Sequence, residues 1–192
     1  MTGPVIIRAR DLRPVPWRNG QGITRDVVTH AAADGALLWQ VSIAELTRDA
    51  DFSHFPGCDR VFTPVSGGPV ELSFRYEPFQ PCPLLRPVPF AGEWATRCRI
   101  AGQPARAFNV IADRGAYRGA CEVIALDGHE PCIGDEAHTV VHCLTGRVQL
   151  GGGMFLDAGD SVGLPPGKGV GARGQATLLV AVVAPFTASG AG

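Results

Sequence analysis

The stretch richest in chemically useful side chains is residues 16–25, which read Pro-Trp-Arg-Asn-Gly-Gln-Gly-Ile-Thr-Arg. It combines an indole, two guanidinium groups and two carboxamides, which offer hydrogen bonds of defined geometry. Its glycines let the backbone approach a ligand closely. We therefore take Trp17, Asn19, Gln21 and Thr24 as candidate ligand-binding residues. In the alternative interpretation, the Asn-Gly pair forms an ordinary hairpin loop without a ligand.

A second candidate segment reads Phe-Ser-His-Phe-Pro-Gly-Cys-Asp-Arg and ends at Arg60. The planar fork of an arginine matches the two oxygens of a carboxylate, so Arg60 is the strongest candidate for binding an anion. Phe52 and Ser53 open the segment and are candidates beside it. In the alternative interpretation, Asp59 or Glu45 holds Arg60 in an internal salt bridge.

Two further polar candidates lie in segments with the period-two pattern of a strand. Ser42 falls in Trp-Gln-Val-Ser-Ile-Ala, which begins at Trp39, and Asn109 shares a strand face with Ile111. These segments predict that the candidate residues are carried on a β-sheet.

The elements that position these residues are predicted to be strands throughout. Val70, Leu72, Phe74 and Tyr76 alternate with polar residues, as in a half-buried strand. Residues 178–183 are apolar on both faces, as in a central strand. The chain has 25 glycines and 16 prolines, and it shows no convincing helical stripe. The predicted fold class is therefore all-β.

A faint internal repeat indicates two related halves. Residues 61–72 and 140–150 each read as a strand, a Ser/Thr-Gly turn and then Val-(Glu/Gln)-Leu. The turn glycines, Gly67 and Gly146, lie 146 − 67 = 79 positions apart. This spacing is about the length of one small barrel, although chance similarity between two hairpins is the alternative.

The second copy continues into a further signature, Gly-Asp-Ser-Val-Gly-Leu-Pro-Pro-Gly at residues 159–167, of the form G-x5-P-x-G. This form resembles the second cupin motif, so residues 138–185 resemble a cupin, a jelly-roll type of β-barrel. With the repeat, the resemblance predicts a double cupin. We expect an N-terminal half with the ligand site at 1–103, a C-terminal half at 104–188 and a flexible tail at 189–192.

The metal ligands of metal-binding cupins are missing from this sequence. Such cupins carry an H-x-H pair followed by a Glu, and a further His after P-x-G. Val170 stands at the last position, and the sequence has no H-x-H. His138 and His142 would lie about 13 Å apart along a strand, too far to share one ion. We therefore expect no metal and no other cofactor.

Four segments, in this order, resemble the HutD/Ves family. They are W-x-N-G-x-G-x-T at 17–24, W-x-x-S-x-A at 39–44, F-S-x-F-P-G-x-D-R at 52–60 and F-N-V at 108–110. The resemblance extends over residues 8–185. It implies a non-enzymatic regulatory role in histidine utilisation. It also implies a small anionic histidine-degradation intermediate as ligand, such as N-formylglutamate or urocanate.

Composition excludes several other functions. The sequence has 17 Lys and Arg against 18 Asp and Glu, with no basic stripe, so we expect no nucleic-acid partner. The longest apolar run, residues 176–186, is too short to span a bilayer, and no polybasic segment predicts membrane binding. The first residues lack a secretory signal, so we expect a cytoplasmic protein whose six scattered cysteines are reduced.

Two other functions stay open beside small-molecule binding. A metal-independent cupin enzyme, such as an isomerase or epimerase acting on a small carboxylate, needs a positioned acid–base pair. His54 and Asp59 could supply that pair. An interaction protein would instead use its sheet surface to form a homodimer.

Overall fold

The computed structural model describes residues 3–128 and 130–186, and the tail predicted at 189–192 lies outside the described residues. The described chain is built almost entirely of strands. In chain order these are β1 (Val5–Ile7), β2 (Pro14–Pro16), β3 (Ile23–Ala31), β4 (Leu37–Leu46), β5 (Ala50–Asp51), β6 (Cys58–Gly67), β7 (Val70–Phe74), β8 (Gln80–Cys82), β9 (Val88–Ala91), β10 (Thr96–Ile100), β11 (Ala105–Asp113), β12 (Tyr117–Asp127), β13 (Cys132–Ile133), β14 (His138–Leu150), β15 (Met154–Asp157), β16 (Ser161–Leu164) and β17 (Val170–Pro185).

Two short 3-10 helices, Ala9–Asp11 and Gly151–Gly153, accompany the strands. Within the part of the chain that the structure describes, no helix has the length and apolar character needed to cross a membrane.

The strands form three antiparallel sheets in two halves. A six-stranded sheet has the order β2-β3-β4-β11-β6-β9, and a four-stranded sheet has the order β5-β10-β7-β8. These two sheets make up the first half. The second half is a seven-stranded sheet with the path β1-β16-β14-β17-β12, in which β13 pairs with β17 and β15 with β14. This arrangement confirms the predicted all-β fold class.

The halves exchange strands, so the division expected between residues 103 and 104 does not follow the strand pairing. β11 pairs with β4 and β6, and it therefore belongs to the sheet of the first half. β1 pairs with β16 in the second half, although it begins the chain. Apart from β1, the strands of the seven-stranded sheet all follow β11 in the chain.

Apolar side chains fill both halves and the space between them. One cluster in the first half includes Phe62 and Leu72, and a cluster in the second half includes Leu156 and Leu178. A third cluster lies between the six-stranded and seven-stranded sheets and is formed by side chains from β4, β11, β14 and β17. The interior of the second half is therefore occupied by its own core.

Strand β4 is buried on both faces over most of its length. Trp39, Val41 and Ile43 pack into the cluster between the halves. The alternate residues, including Ser42 and Ala44, are also buried and face the interior of the first half. Because successive side chains of a strand point to opposite faces, the polar face of β4 must be accommodated inside the first half.

The two repeat glycines occupy equivalent positions at close strand contacts. Gly67 has φ +94°, and a Cβ there would lie 2.1 Å from the carbonyl oxygen of Pro104. Gly146 has φ +77°, and a Cβ there would lie 2.0 Å from the carbonyl oxygen of Gln175. Only glycine fits both the positive φ and this approach. The shared geometry supports a structural repeat in the two halves.

The buried imidazole of His142 lies between the halves. Its ring stacks on Phe108 with centroids 5.7 Å apart, and its Nδ1 shares a hydrogen bond of 2.9 Å with the Ser161 hydroxyl. Burial, together with the nearby charge of Arg106, lowers the pKa of His142 to about 4. The ring is therefore neutral at physiological pH and serves the packing of the two halves.

Candidate ligand cavity

A cavity of about 300 Å³ opens in the first half of the protein. Strands β3, β4, β6 and β11 form one side, and residues 16–18 together with Phe52, Ser53 and Phe55 line the other. This volume suits a ligand of small-metabolite size. Seven of the nine candidate residues line it, namely Trp17, Thr24, Ser42, Phe52, Ser53, Arg60 and Asn109.

Strand register brings the polar lining residues into one row. Asp26 on β3 pairs with Ser42 on β4, Ser42 pairs with Asn109 on β11, and Asn109 pairs with Phe62 on β6. Paired residues on neighbouring strands lie side by side on the same face of a sheet. The row therefore presents a carboxylate, a hydroxyl and a carboxamide to one cavity.

A β-bulge in β3 determines which of its side chains enter the cavity. The pairing with β4 shifts between Asp26 and Val28, which leaves Val27 as an extra residue. Val27 packs into the apolar cluster between the halves. Because a bulge shifts the alternation by one residue, Thr29 lines the same cavity as Thr24 and Asp26.

The guanidinium of Arg60 is the central polar group of the cavity. Arg60 is only 7% exposed, and its Cζ lies 4.9, 5.5 and 5.1 Å from the ring centroids of Phe52, Phe55 and Phe90. One terminal nitrogen donates to Asn109 Oδ1 at 3.1 Å, and the other donates to the Ser53 carbonyl at 3.4 Å. The three rings and these two acceptors hold the guanidinium in place.

Arg60 carries a buried positive charge without a carboxylate partner in the part of the chain that the structure describes. No ion pair joins it to a carboxylate within residues 3–128 and 130–186: Asp59 pairs with Arg114 at 2.7 Å, and Glu45 pairs with Arg25 at 2.8 Å. The internal salt bridge considered for Arg60 is therefore wrong. Burial lowers the pKa of Arg60 to about 10, so the group stays charged at neutral pH.

Two buried polar atoms beside the cavity lack hydrogen-bond partners among the described residues. They are Nε of Arg60 and the hydroxyl oxygen of Ser53. Buried polar groups are nearly always hydrogen-bonded, and leaving one unpaired costs about 1–3 kcal/mol. An Arg offers five N–H donors. An anion bound here would satisfy the free donors and neutralise the charge.

Asp26 is a lining residue that the sequence analysis missed. Its carboxylate Oδ1 accepts a hydrogen bond of 3.3 Å from the Thr24 hydroxyl. Burial raises the pKa of Asp26, while hydrogen bonds from Thr24 and Gln40 oppose the shift. Asp26 follows the candidate Thr24 by two residues on β3, so regular alternation places both side chains on the cavity face, and this spacing was the signal that could have found it.

Aromatic and cationic side chains lie near the edge of the cavity. Trp17 meets Phe52 edge to face, with ring centroids 5.6 Å apart, and Arg18 lies 4.8 Å over the ring of Phe55. A Cβ on Gly22 would lie 2.6 Å from the Trp17 ring, so this glycine makes room for the indole. The motif thus positions an apolar wall and a second cation.

Asn19 and Gln21 are not among the lining residues. The Asn19 side chain donates to the carbonyl of Asp51 at 2.7 Å, and the Gln21 side-chain oxygen accepts from the Asp51 amide at 2.8 Å. Their carboxamides therefore fasten the loop to β5. The structure places them as supports of the loop that carries Trp17.

The acid–base pair considered for an enzyme does not lie in the cavity. His54 is exposed, and Asp59 makes its ion pair with Arg114; neither lines the cavity. Among the described residues, no group of three or more His, Cys, Asp or Glu side chains could hold a metal ion. All six cysteines are free.

Comparison with known proteins identifies the family. A model of the HutD family matches residues 9–180. The chain belongs to the HutD family. Over 115 residues it is 31% identical to an uncharacterized 21.2 kDa protein in the hutC 3' region of Pseudomonas putida, covering 59% of this chain and 60% of that protein. Over 105 residues it is 32% identical to Protein Ves of Escherichia fergusonii, covering 53% and 55%. The matched part thus spans less than two thirds of either relative.

Solved structures show that this HutD-family chain has the cupin fold. HutD from Pseudomonas fluorescens SBW25 superposes with a TM-score of 0.83 at 22% identity, covering 96% of this chain and 100% of that one. A cupin 2 conserved barrel domain protein from Leptotrichia buccalis gives 0.58 at 8% identity, covering 97% and 98%. The predicted family and cupin fold are confirmed.

Proposed function

We propose that this HutD-family protein binds a small anionic metabolite in its first half and does so without a metal. The observation that carries the proposal is the buried Arg60 guanidinium, which lines a 300 Å³ cavity, has no carboxylate partner among the described residues and keeps a free Nε. A bidentate carboxylate would complete its hydrogen bonding and supply the missing charge.

The family membership suggests which metabolite class to test first. One relative lies in the hutC 3' region of Pseudomonas putida. We therefore propose an anionic histidine-degradation intermediate, N-formylglutamate or urocanate, as the ligand. We further propose that binding in the cytoplasm regulates histidine utilisation.

A metal-independent isomerase or epimerase is less well supported by the cavity. Such a reaction needs a paired acid and base at the reacting carbon. Among the described lining residues, Asp26 is the one carboxylate, and no His, Cys, Lys or Tyr accompanies it. Prolonged incubation with each bound acid, followed by mass spectrometry and chiral chromatography, should return the acid unchanged. A new or racemised product would favour the enzyme.

The binding proposal is tested by thermal unfolding with a panel of acids. N-formylglutamate, urocanate and glutamate are compared with their uncharged amides at equal concentration. A ligand at a hundredfold excess over its Kd adds about 2.7 kcal/mol to stability, which shifts the Tm measurably. We expect at least one acid to raise the Tm and its amide to have little effect. An equal response to the amides would refute recognition of an anionic group.

A further inference from the structure

The cavity holds a second ionisable group that an anion at Arg60 leaves unused. Asp26 lines the same cavity from β3, whereas Arg60 projects from β6. The register row runs from Asp26 through Ser42 to Asn109, and Asn109 accepts a hydrogen bond from Arg60. Two strand spacings separate Asp26 from Asn109, roughly 10 Å between backbones. One small ligand can therefore contact both Asp26 and Arg60, which lie at opposite ends of the cavity.

The charges at the two ends differ in sign. Arg60 and Arg18 line the side of the cavity near Phe55, and Asp26 is the one carboxylate among its described lining residues. A ligand carboxylate is therefore drawn toward Arg60 and repelled by Asp26. This asymmetry orients any small acid with its other end toward β3.

The chemistry of Asp26 specifies what that other end must offer. An ionised carboxylate is an acceptor with about four lone-pair positions, and Thr24 and Gln40 donate to it. The remaining positions can be satisfied only by donors. An apolar ligand group placed there would displace water from the carboxylate and leave it underbonded, which is unfavourable.

We propose that Asp26 accepts a hydrogen bond from an N–H group of the ligand, so that the cavity selects small carboxylates bearing a nitrogen donor at the end remote from the carboxylate. This inference rests on the proposed function, because Arg60 must first hold the carboxylate. The donor is an ammonium group or a neutral N–H such as that of an amide or azole ring. Carboxylates of the same size without a donor bind more weakly.

Two matched pairs of probes, compared by isothermal titration calorimetry, distinguish an ammonium donor from a neutral N–H donor. δ-Aminovalerate and caproate differ by an ammonium in place of a methyl group. Urocanate and furylacrylate differ by an imidazole in place of a furan, measured at a pH where the imidazole is neutral. We expect the N–H member of at least one pair to bind about tenfold or more tightly than its partner. The pair that shows the preference identifies a charged or a neutral donor.

Variants of Asp26 test whether this residue causes the preference. Asp26→Ala should reduce the affinity ratio of each selective pair to about one, because the acceptor is lost. Asp26→Asn has the same shape and keeps one acceptor oxygen, so it should weaken an ammonium preference most and an imidazole preference less. Glu136→Gln removes an exposed carboxylate in the second half and should leave both ratios unchanged.

The outcomes distinguish this inference from the proposed function. If the wild-type protein binds both members of each pair equally, or if Asp26→Asn and Asp26→Ala keep the full preference, the inference about Asp26 is overturned. Loss of binding in Arg60→Ala would still support the anion site in that case. If none of the four acids binds the wild-type protein, this inference fails; the proposed function fails as well only if N-formylglutamate and glutamate also do not bind.

Discussion

Replacing Arg60 by methionine should increase stability and abolish tight anion binding at the same time. Methionine has a similar length, and its thioether packs well against aromatic rings, here Phe52, Phe55 and Phe90. The substitution removes a buried charge that has no counter-ion among the described residues. A structural arginine would show the opposite behaviour, because its loss would destabilise the fold and leave binding intact.

The size of the expected stability change follows from the desolvation of the Arg60 guanidinium. Burial lowers the pKa of Arg60 to about 10, which corresponds to a penalty of about 3 kcal/mol on the charged form. Cation–π contacts with the rings offset part of this penalty. We expect Arg60→Met to raise the free energy of unfolding of the ligand-free protein by about 1 kcal/mol or more. Loss of a charged, bidentate hydrogen bond should weaken binding about ten- to a hundredfold.

Urea unfolding and calorimetry with the best acid from the panel measure the two effects. Arg60→Lys should recover only part of the affinity, because an ammonium cannot form the fork. Arg114→Met is the matched control: this arginine is partly exposed and pairs with Asp59 and Glu93, so its loss should cost about 1 kcal/mol or less and leave affinity unchanged. A loss of stability above about 2 kcal/mol in Arg60→Met with an unaltered Kd would refute the reasoning.

Three further predictions concern the scaffold. The pKa of His142 is lowered from 6.5 to about 4, so between these pH values the unfolded chain binds a proton that the folded protein does not. The free energy of unfolding should therefore fall by up to about 3 kcal/mol as pH drops through this window. In His142→Gln, urea titrations should show a weaker dependence of this free energy on pH; an unchanged dependence would contradict the lowered pKa of His142. Gly146→Ala should cost about 2 kcal/mol or more, because of its φ and its 2.0 Å approach. Gly102 has a similar φ of +78° but open space around it, so Gly102→Ala should cost only about 1 kcal/mol. Equal losses of unfolding free energy for the two variants in chemical denaturation would contradict the role of the close contact at Gly146. Cys132 is exposed, whereas most of the other cysteines are buried, so a thiol reagent should label Cys132 first in the native protein and label the remainder after unfolding; dithiothreitol should leave the Tm unchanged.

The fold was largely predictable because its strands follow simple alternation. Trp39, Val41 and Ile43 were expected on one strand face, and they pack together between the halves. The strand expected from Val70 to Tyr76 ends earlier, at Phe74. Arg75 and Tyr76 have positive φ values of 51° and 68°, which no strand accommodates. Local patterns therefore located these strands but not all of their ends.

Parts of the cavity were not predictable from local patterns, because they depend on long-range pairing. Thr29 enters the cavity through a bulge that only the pairing of β3 with β4 reveals. Asn19 and Gln21 have the right chemistry for a ligand, but Asp51 takes their carboxamides. The period-two pattern of β4 was also consistent with one exposed face. Ser42 is buried because its face of β4 lines the interior of the first half, while the second half covers the opposite face.

A crystal structure determined with a saturating acid from the panel shows directly whether Arg60 binds a carboxylate. Density for the ligand is expected inside the first half, with a carboxylate oxygen about 2.7–2.9 Å from Nε or a terminal nitrogen of Arg60. An acid that binds in calorimetry yet lies outside this cavity, or lies inside it with its carboxylate turned away from Arg60, would contradict the account.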